Sequence, residues 1–144
     1  MDYKLKIISH ACVLIDFGHA RLLTDPWLFG DCFNNGWSLK KSNNSTESLT
    51  QSEIESITHI WISHEHPDHF HIPTLKHLIS KNPNFSNVEV ICKNDIRTQK
   101  DIIKALKAFG YKNFKPLNHL SSYCLTSKIS VRIYHHRHID SALL

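Results

Sequence analysis

Short apolar runs alternate with polar breaks along this chain, and the spacing within the runs changes from one region to the next. Residues 4–9 and 12–17 are apolar-rich runs, and Gly18-His19 supplies a turn after the second. Residues 21–24 form a third run that stops at Asp25-Pro26, where proline removes a ladder donor. Three such runs in 25 residues predict hairpin-linked strands at the edge of an antiparallel or mixed sheet. Residues 26–49 then lose periodicity and fill with Gly, Asn and Ser, but carry four large aromatics, Trp27, Phe29, Phe33 and Trp37. A loop of that length in a compact domain often belongs to a functional site. Its aromatics either pack over a pocket or pin the loop to the body.

Beyond this loop the pattern becomes an alternation of helix and strand. Thr50-Gln51-Ser52-Glu53 is a capping box, which predicts a short helix over 51–56. Residues 58–63, with Ile60-Trp61-Ile62 at their centre, predict a central strand. Pro73 sits where a first helical turn begins, and Leu75, Leu78 and Ile79 form a helical stripe behind it. Residues 88–92 read as a strand. Asp95 caps a helix that runs through Phe109, with Ile96, Ile102, Ile103 and Leu106 on one face and Gly110 as its stop. Residues 123–126 and 128–134 read as strands, the second alternating strictly through Ile129, Val131 and Ile133, and 141–144 begins another. This order predicts one α/β (α+β) domain over residues 1–144, a mixed sheet with flanking helices.

Composition narrows the class. The 144 residues are 41% hydrophobic and 21% charged, as in ordinary globular proteins. The apolar runs fall short of the roughly 18 to 20 residues that span a bilayer. Met1-Asp2-Tyr3-Lys4 lacks the basic-then-apolar order of a signal peptide, so a cytoplasmic protein without a membrane span is expected. Cys12, Cys32, Cys92 and Cys124 are widely separated and are expected to be buried reduced thiols. The net charge of +4 is modest and the lysines are dispersed, which argues against a nucleic-acid partner.

The chemistry concentrates in one hexapeptide, His64-Glu65-His66-Pro67-Asp68-His69, directly after the central strand. Imidazole nitrogen and carboxylate oxygen are the donors that suit zinc, manganese or iron. Side chains two apart on an extended segment share a side, so His64 and His66 can grip one metal ion. Asp68 and His69 follow as the chain turns, and face a displaced point that suits a second ion. Such ions lower the pKa of bound water toward neutrality, and Asp68 is placed to accept a proton from it. Glu65 is expected to point away from the metal.

The hexapeptide in its strand context resembles the metal motif of the metallo-β-lactamase-fold superfamily. Ser9-His10-Ala11-Cys12-Val13-Leu14-Ile15, followed by Leu23-Thr24-Asp25-Pro26-Trp27, is similar to the opening of one branch of it. That branch holds the UlaG-like lactonases, the N-acylphosphatidylethanolamine phospholipase D-like hydrolases and the CMP-N-acetylneuraminate hydroxylases. The stretch 62–70, with Ile72-Pro73-Thr74-Leu75 after it, resembles the last most closely. The resemblance covers essentially the whole chain. It implies an αββα sandwich, of which these residues would be the N-terminal half, incomplete at the C-terminal side.

It further implies a metal-dependent hydrolase acting on an ester, lactone or phosphodiester of a small-molecule substrate. One or two divalent transition-metal ions are implied, zinc first, with manganese or iron as alternatives. His64 and His66 would bind the first ion, and Asp68 and His69 the second. Asp68 would be catalytic, and Asp25 would support the metal loop without ligating. In His135-His136-Arg137-His138, His138 is the first candidate for the family's third-motif histidine and His136 the second. His10 and His71 lie near enough in sequence to support the site from outside it. His19, His59, His77 and His119 read as ordinary satisfied or solvent-facing histidines. Two other expectations follow. The half-fold would be a non-catalytic metal-binding remnant, or a subunit completed by a partner chain or oligomer. Alternatively it would be a nucleic-acid processing relative, which requires a clustered basic face.

Overall fold

The computed structural model describes residues 3–40, 49–135 and 141–143. Three antiparallel strands open the chain, β1 (Lys4–Ile7), β2 (Val13–Asp16) and β3 (Arg21–Thr24). A small hairpin, β4 (Asp31–Cys32) and β5 (Trp37–Ser38), interrupts the long loop. Next come α1 (Gln51–Ser56), β6 (His59–Ile62), α2 (Ile72–Lys81) and β7 (Glu89–Lys93). A π-helical turn over Thr98–Ile103 runs into α3 (Lys104–Phe109), followed by β8 (Asn113–Leu117). The last strands are β9 (Ser122–Thr126), β10 (Ile129–His135) and β11 (Ser141–Leu143).

A six-stranded sheet in the order β1-β2-β3-β6-β7-β8 forms the centre. It is mixed, because β3, β6, β7 and β8 pair in parallel while β1 to β3 are antiparallel. Parallel strands buried on both faces read as continuous apolar runs, and every residue of β6 is buried. Consecutive side chains therefore serve opposite layers. Leu23, Ile60, Ile62 and Val90 join Leu75, Leu78, Ile102 and Leu106 on the helical side. Leu22, Trp61 and Ile91 join Leu125, Val131 and Ile133 of the three-stranded sheet β11-β10-β9 on the other. The layers run helix, sheet, sheet.

Helix ends follow local chemistry. The Thr50–Glu53 capping box forms, and the Glu53 carboxylate also takes the Lys6 ammonium at 2.8 Å, tying α1 to β1. Gly110, at φ 102°, stops α3 in the left-handed region, and the Tyr111 amide returns to the Leu106 carbonyl at 3.1 Å. The Tyr111 hydroxyl then donates to the Leu75 carbonyl at 2.9 Å, locking α3 against α2.

Several expectations need correction. The helix expected from Asp95 does begin there, with the carboxylate accepting from the Thr98 amide at 2.7 Å, but its first turns are wound as a π-helix. β8 was not expected, because Pro116 lies within it. It is an edge strand, where a missing amide is tolerated. All four cysteines are free, and Cys12, Cys32 and Cys92 are buried, but Cys124 is exposed on β9. Among the described residues no helix is long and apolar enough to cross a membrane.

His59 opens β6 at the end opposite the hexapeptide. Its Nδ1 lies 2.7 Å from the Thr58 hydroxyl, its Nε2 3.9 Å from Glu89, and its ring packs against Tyr123. Burial holds this imidazole below its ordinary value, and the Glu89 charge offsets that only in part. The unfolded chain therefore takes up the proton first. Stability is full above about pH 6.5 and declines as pH falls through the folded value. Thermal denaturation should show a lower Tm at pH 5.5 than at pH 7.5, and His59→Gln should shrink that gap. An unchanged gap in the variant would place the acid sensitivity elsewhere.

Candidate metal centre

β6 delivers the hexapeptide to the C-terminal edge of the parallel strands, where open α/β sheets place their sites. The base is built by Asp25, one residue past β3. Its φ of 34° is left-handed, a region that aspartate enters more readily than most residues. Its amide donates to the Trp61 carbonyl at 2.8 Å, and its Oδ1 accepts from the Ser63 amide at 2.7 Å. Oδ2 accepts from the Ser63 hydroxyl at 2.8 Å and lies 2.9 Å from His69 Nδ1. The chain then turns over Pro67, with the His69 and Phe70 amides both donating to the His66 carbonyl at 2.9 and 2.7 Å. His71 caps α2, its Nδ1 accepting from the Thr74 amide at 3.3 Å.

These contacts set the tautomers. The Ser63 hydroxyl donates to Asp25, so at 3.0 Å it accepts from His64 Nδ1. That leaves the lone pair of His64 Nε2 facing His66 Nδ1 at 2.9 Å. Asp25 likewise takes the Nδ1 proton of His69, which leaves His69 Nε2 facing Asp68 Oδ2 at 3.3 Å. His66 Nδ1–H can donate to the His64 lone pair, whereas at the His69–Asp68 contact a proton or a cation between the two atoms satisfies both. Asp68 adds a donor suited to a cation. It is buried, and its Oδ1 has no hydrogen-bond partner among the described residues. The spacings also approach the roughly 3.3 Å between donor atoms of a tetrahedral zinc site with 2.0–2.1 Å bonds. The donor set present therefore fits a transition-metal ion.

The structure thus gathers His64, His66, Asp68 and His69, with Asp25 beneath them. His136 and His138 lie outside the described residues. His135 is described at the end of β10, where its amide donates to His119 Nδ1 at 3.0 Å. Glu65 turns toward the helical side, 3.5 Å from the Arg97 guanidinium. His10 was expected only nearby, yet its Nε2 lies 3.1 Å from Asp68 Oδ2, and donor atoms of His10, Asp68 and His69 all fall within 4.8 Å of one another. Its signal in the sequence is slight, a lone histidine between two apolar strands. His71 is buried in its capping role, and burial lowers its pKa, with a backbone contact to Asp31 opposing.

In the described part of the long loop, the pinning role is seen. Trp27 is buried and pins the loop, its indole donating to the Gly30 carbonyl at 3.1 Å. Phe33 and Trp37 stay exposed, in edge contact with each other, and touch His66 and His10 respectively. Cys32, from the same hairpin, donates its thiol to the Pro67 carbonyl at 3.1 Å. Burial, then the charges of Asp68 and Asp31, push that thiol up to about 11, so it stays protonated at neutral pH.

A helix–sheet–sheet body with a histidine–aspartate cluster at its strand ends defines a class of metal-binding α/β protein. The chain matches the beta-lactamase superfamily domain over residues 4–143, and it belongs to that family. Over 85 residues it is 37% identical to the cytidine monophosphate-N-acetylneuraminic acid hydroxylase of Danio rerio, covering 58% of this chain and 14% of that protein. The chain thus spans about a seventh of the length of that relative. Among solved structures it superimposes on CmlA, a diiron beta-hydroxylase from Streptomyces venezuelae, with a TM-score of 0.64 at 19% identity, covering 93% of this chain and 24% of that one. It also superimposes on Igni18, a metallo hydrolase from Ignicoccus hospitalis, with a TM-score of 0.61 at 13% identity, covering 98% and 54%. At these identities the structural likenesses establish the fold.

Proposed function

We propose that this domain is a metal-dependent hydrolase centre acting on an ester, lactone or phosphodiester of a small molecule. The observation that carries the reading is the convergence of donor atoms on Asp68, with one of its carboxylate oxygens buried and without a hydrogen-bond partner among the described residues. His64 and His66 would hold one divalent ion, and Asp68 and His69 a second. Such ions supply Lewis acidity and an activated water. The chain's own residues do the rest. Asp25 and Ser63 fix the ring orientations of His64 and His69. Asp68 offers a carboxylate oxygen that accepts a proton from the attacking water. Phe33 and Trp37 offer exposed apolar edges beside His66 and His10 for a planar or apolar part of the substrate.

The test is elemental analysis of folded protein purified without chelator, followed by assays on phosphodiester and lactone substrates. One to two equivalents of zinc with turnover that chelator abolishes is the expected outcome. A folded chain that takes up no metal would sink the reading. A second reading, oxidation at an iron centre, is supported by the hydroxylase names of the sequence relative and of CmlA. Iron in place of zinc, with oxygen consumption and no hydrolysis, would favour it.

A further inference from the structure

We propose that His10, at the tip of the β1–β2 hairpin, is a direct metal ligand that completes the Asp68/His69 side of the centre. The inference rests on the metal-centre reading above and extends it to a residue 58 positions from Asp68 in the chain.

Position is the first argument. His10 Nε2 stands 3.1 Å from Asp68 Oδ2, and Asp68 Oδ2 stands 3.3 Å from His69 Nε2. Three donors of the type that binds transition metals thus surround one point, two imidazoles and a carboxylate, as in open three-ligand sites that leave a place for water. Among the described residues, the Asp68/His69 pair without His10 offers two protein donors.

Rigidity is the second. A surface histidine on a free loop costs affinity, because binding must order it. His10 sits on a tight turn in which the Ile8 and Ser9 amides donate to the Cys12 carbonyl at 2.9 and 3.2 Å, and the Cys12 amide returns to Ser9 at 3.2 Å. Both neighbours are anchored. The Ser9 hydroxyl donates to the Trp27 carbonyl, and the Ala11 carbonyl accepts from the Thr24 hydroxyl at 2.7 Å. The imidazole itself is walled edge-on by Trp27, Trp37 and His69, with centroids 6.0, 6.3 and 5.5 Å away. The ring is held in place, while 42% of its side-chain surface stays open to solvent.

The remaining question is whether His10 ligates or only orients Asp68 by a hydrogen bond. Glutamine separates the two, since its amide still donates to a carboxylate but is a poor ligand. Zinc affinity should be measured by chelator competition on wild type, His10→Ala and His10→Gln, with cobalt(II) absorption spectra of each. Circular dichroism and Tm confirm folding. Wild type should bind zinc, and both variants should lose one equivalent or weaken the second by at least 10- to 100-fold, with an altered cobalt spectrum. Restoration of wild-type affinity and spectrum by His10→Gln would overturn the ligand assignment, as would an unchanged His10→Ala. Should His10→Ala fail to fold, His10→Gln alone decides. A wild-type chain that binds no zinc overturns the metal-centre reading itself, an outcome distinct from metal binding that ignores His10.

Discussion

Asp68→Asn is expected to strip the centre of metal while leaving the metal-free fold at least as stable as wild type. The two halves of this result have one cause. Asn keeps the shape of Asp but loses the negative charge and half of the acceptor capacity, so a site that relies on carboxylate oxygen loses affinity by on the order of 100-fold or more. In the metal-free chain the same carboxylate is a liability. It is buried, one oxygen has no hydrogen-bond partner among the described residues, and the other faces both His69 Nε2 and His10 Nε2. Burial of an incompletely satisfied charge is unfavourable, and the neutral amide relieves it. Chelator competition with zinc and thermal denaturation in excess chelator measure the two parts. A variant that binds zinc normally, or that loses stability without metal, would show Asp68 to be a structural residue.

Trp61→Ala carries the largest expected loss of stability. Trp61 is the largest β6 side chain that crosses to the second sheet, where it packs with Leu22, Ile91, Leu125, Val131 and Ile133. Truncating a buried aromatic of this size typically removes about 3–5 kcal/mol, through lost burial and the cavity left behind. In a domain of this size that corresponds to a Tm lower by about 10–15 °C. Urea denaturation followed by circular dichroism reads the free energy directly. Below its transition the variant should still take up metal, because the hexapeptide hangs from backbone pairings of β6 to β3 and β7 that the substitution leaves intact. A loss under 1 kcal/mol would mean that the three-stranded sheet is not packed on Trp61.

What the sequence made legible is what short-range chemistry dictates. The run Ile60-Trp61-Ile62 reads as a buried central strand, and it puts the hexapeptide at a strand end. The capping box at Thr50 and the stop at Gly110 formed as their residues require. The failures share a physical cause as well. Asn113–Leu117 hides its strand behind Pro116, and only its place at the sheet edge makes the proline harmless. The β4–β5 hairpin rests on three successive left-handed residues, Phe33, Asn34 and Asn35, an arrangement that two-residue strands give no pattern to announce. His10 reaches Asp68 only because two segments far apart in the chain meet above the sheet. The β11 pairing with β10 is seen, but His136 and His138 fall between them, outside the described residues.

The flank at β1, which no described strand covers, will govern how this protein behaves in the hands of whoever purifies it. Lys6 turns to the helical side and is occupied by Glu53, but Leu5 and Ile7 share the face of Ile15 and are 55% and 68% exposed, outside the second-sheet cluster of the described residues. An edge strand with greasy side chains, which no described strand pairs on its outer side, invites another copy to add its own. Concentration, rather than heat, is then the threat to a good preparation. Yield on the concentrator should respond to a single charge introduced at Ile7 more than to any change of buffer near the metal loop.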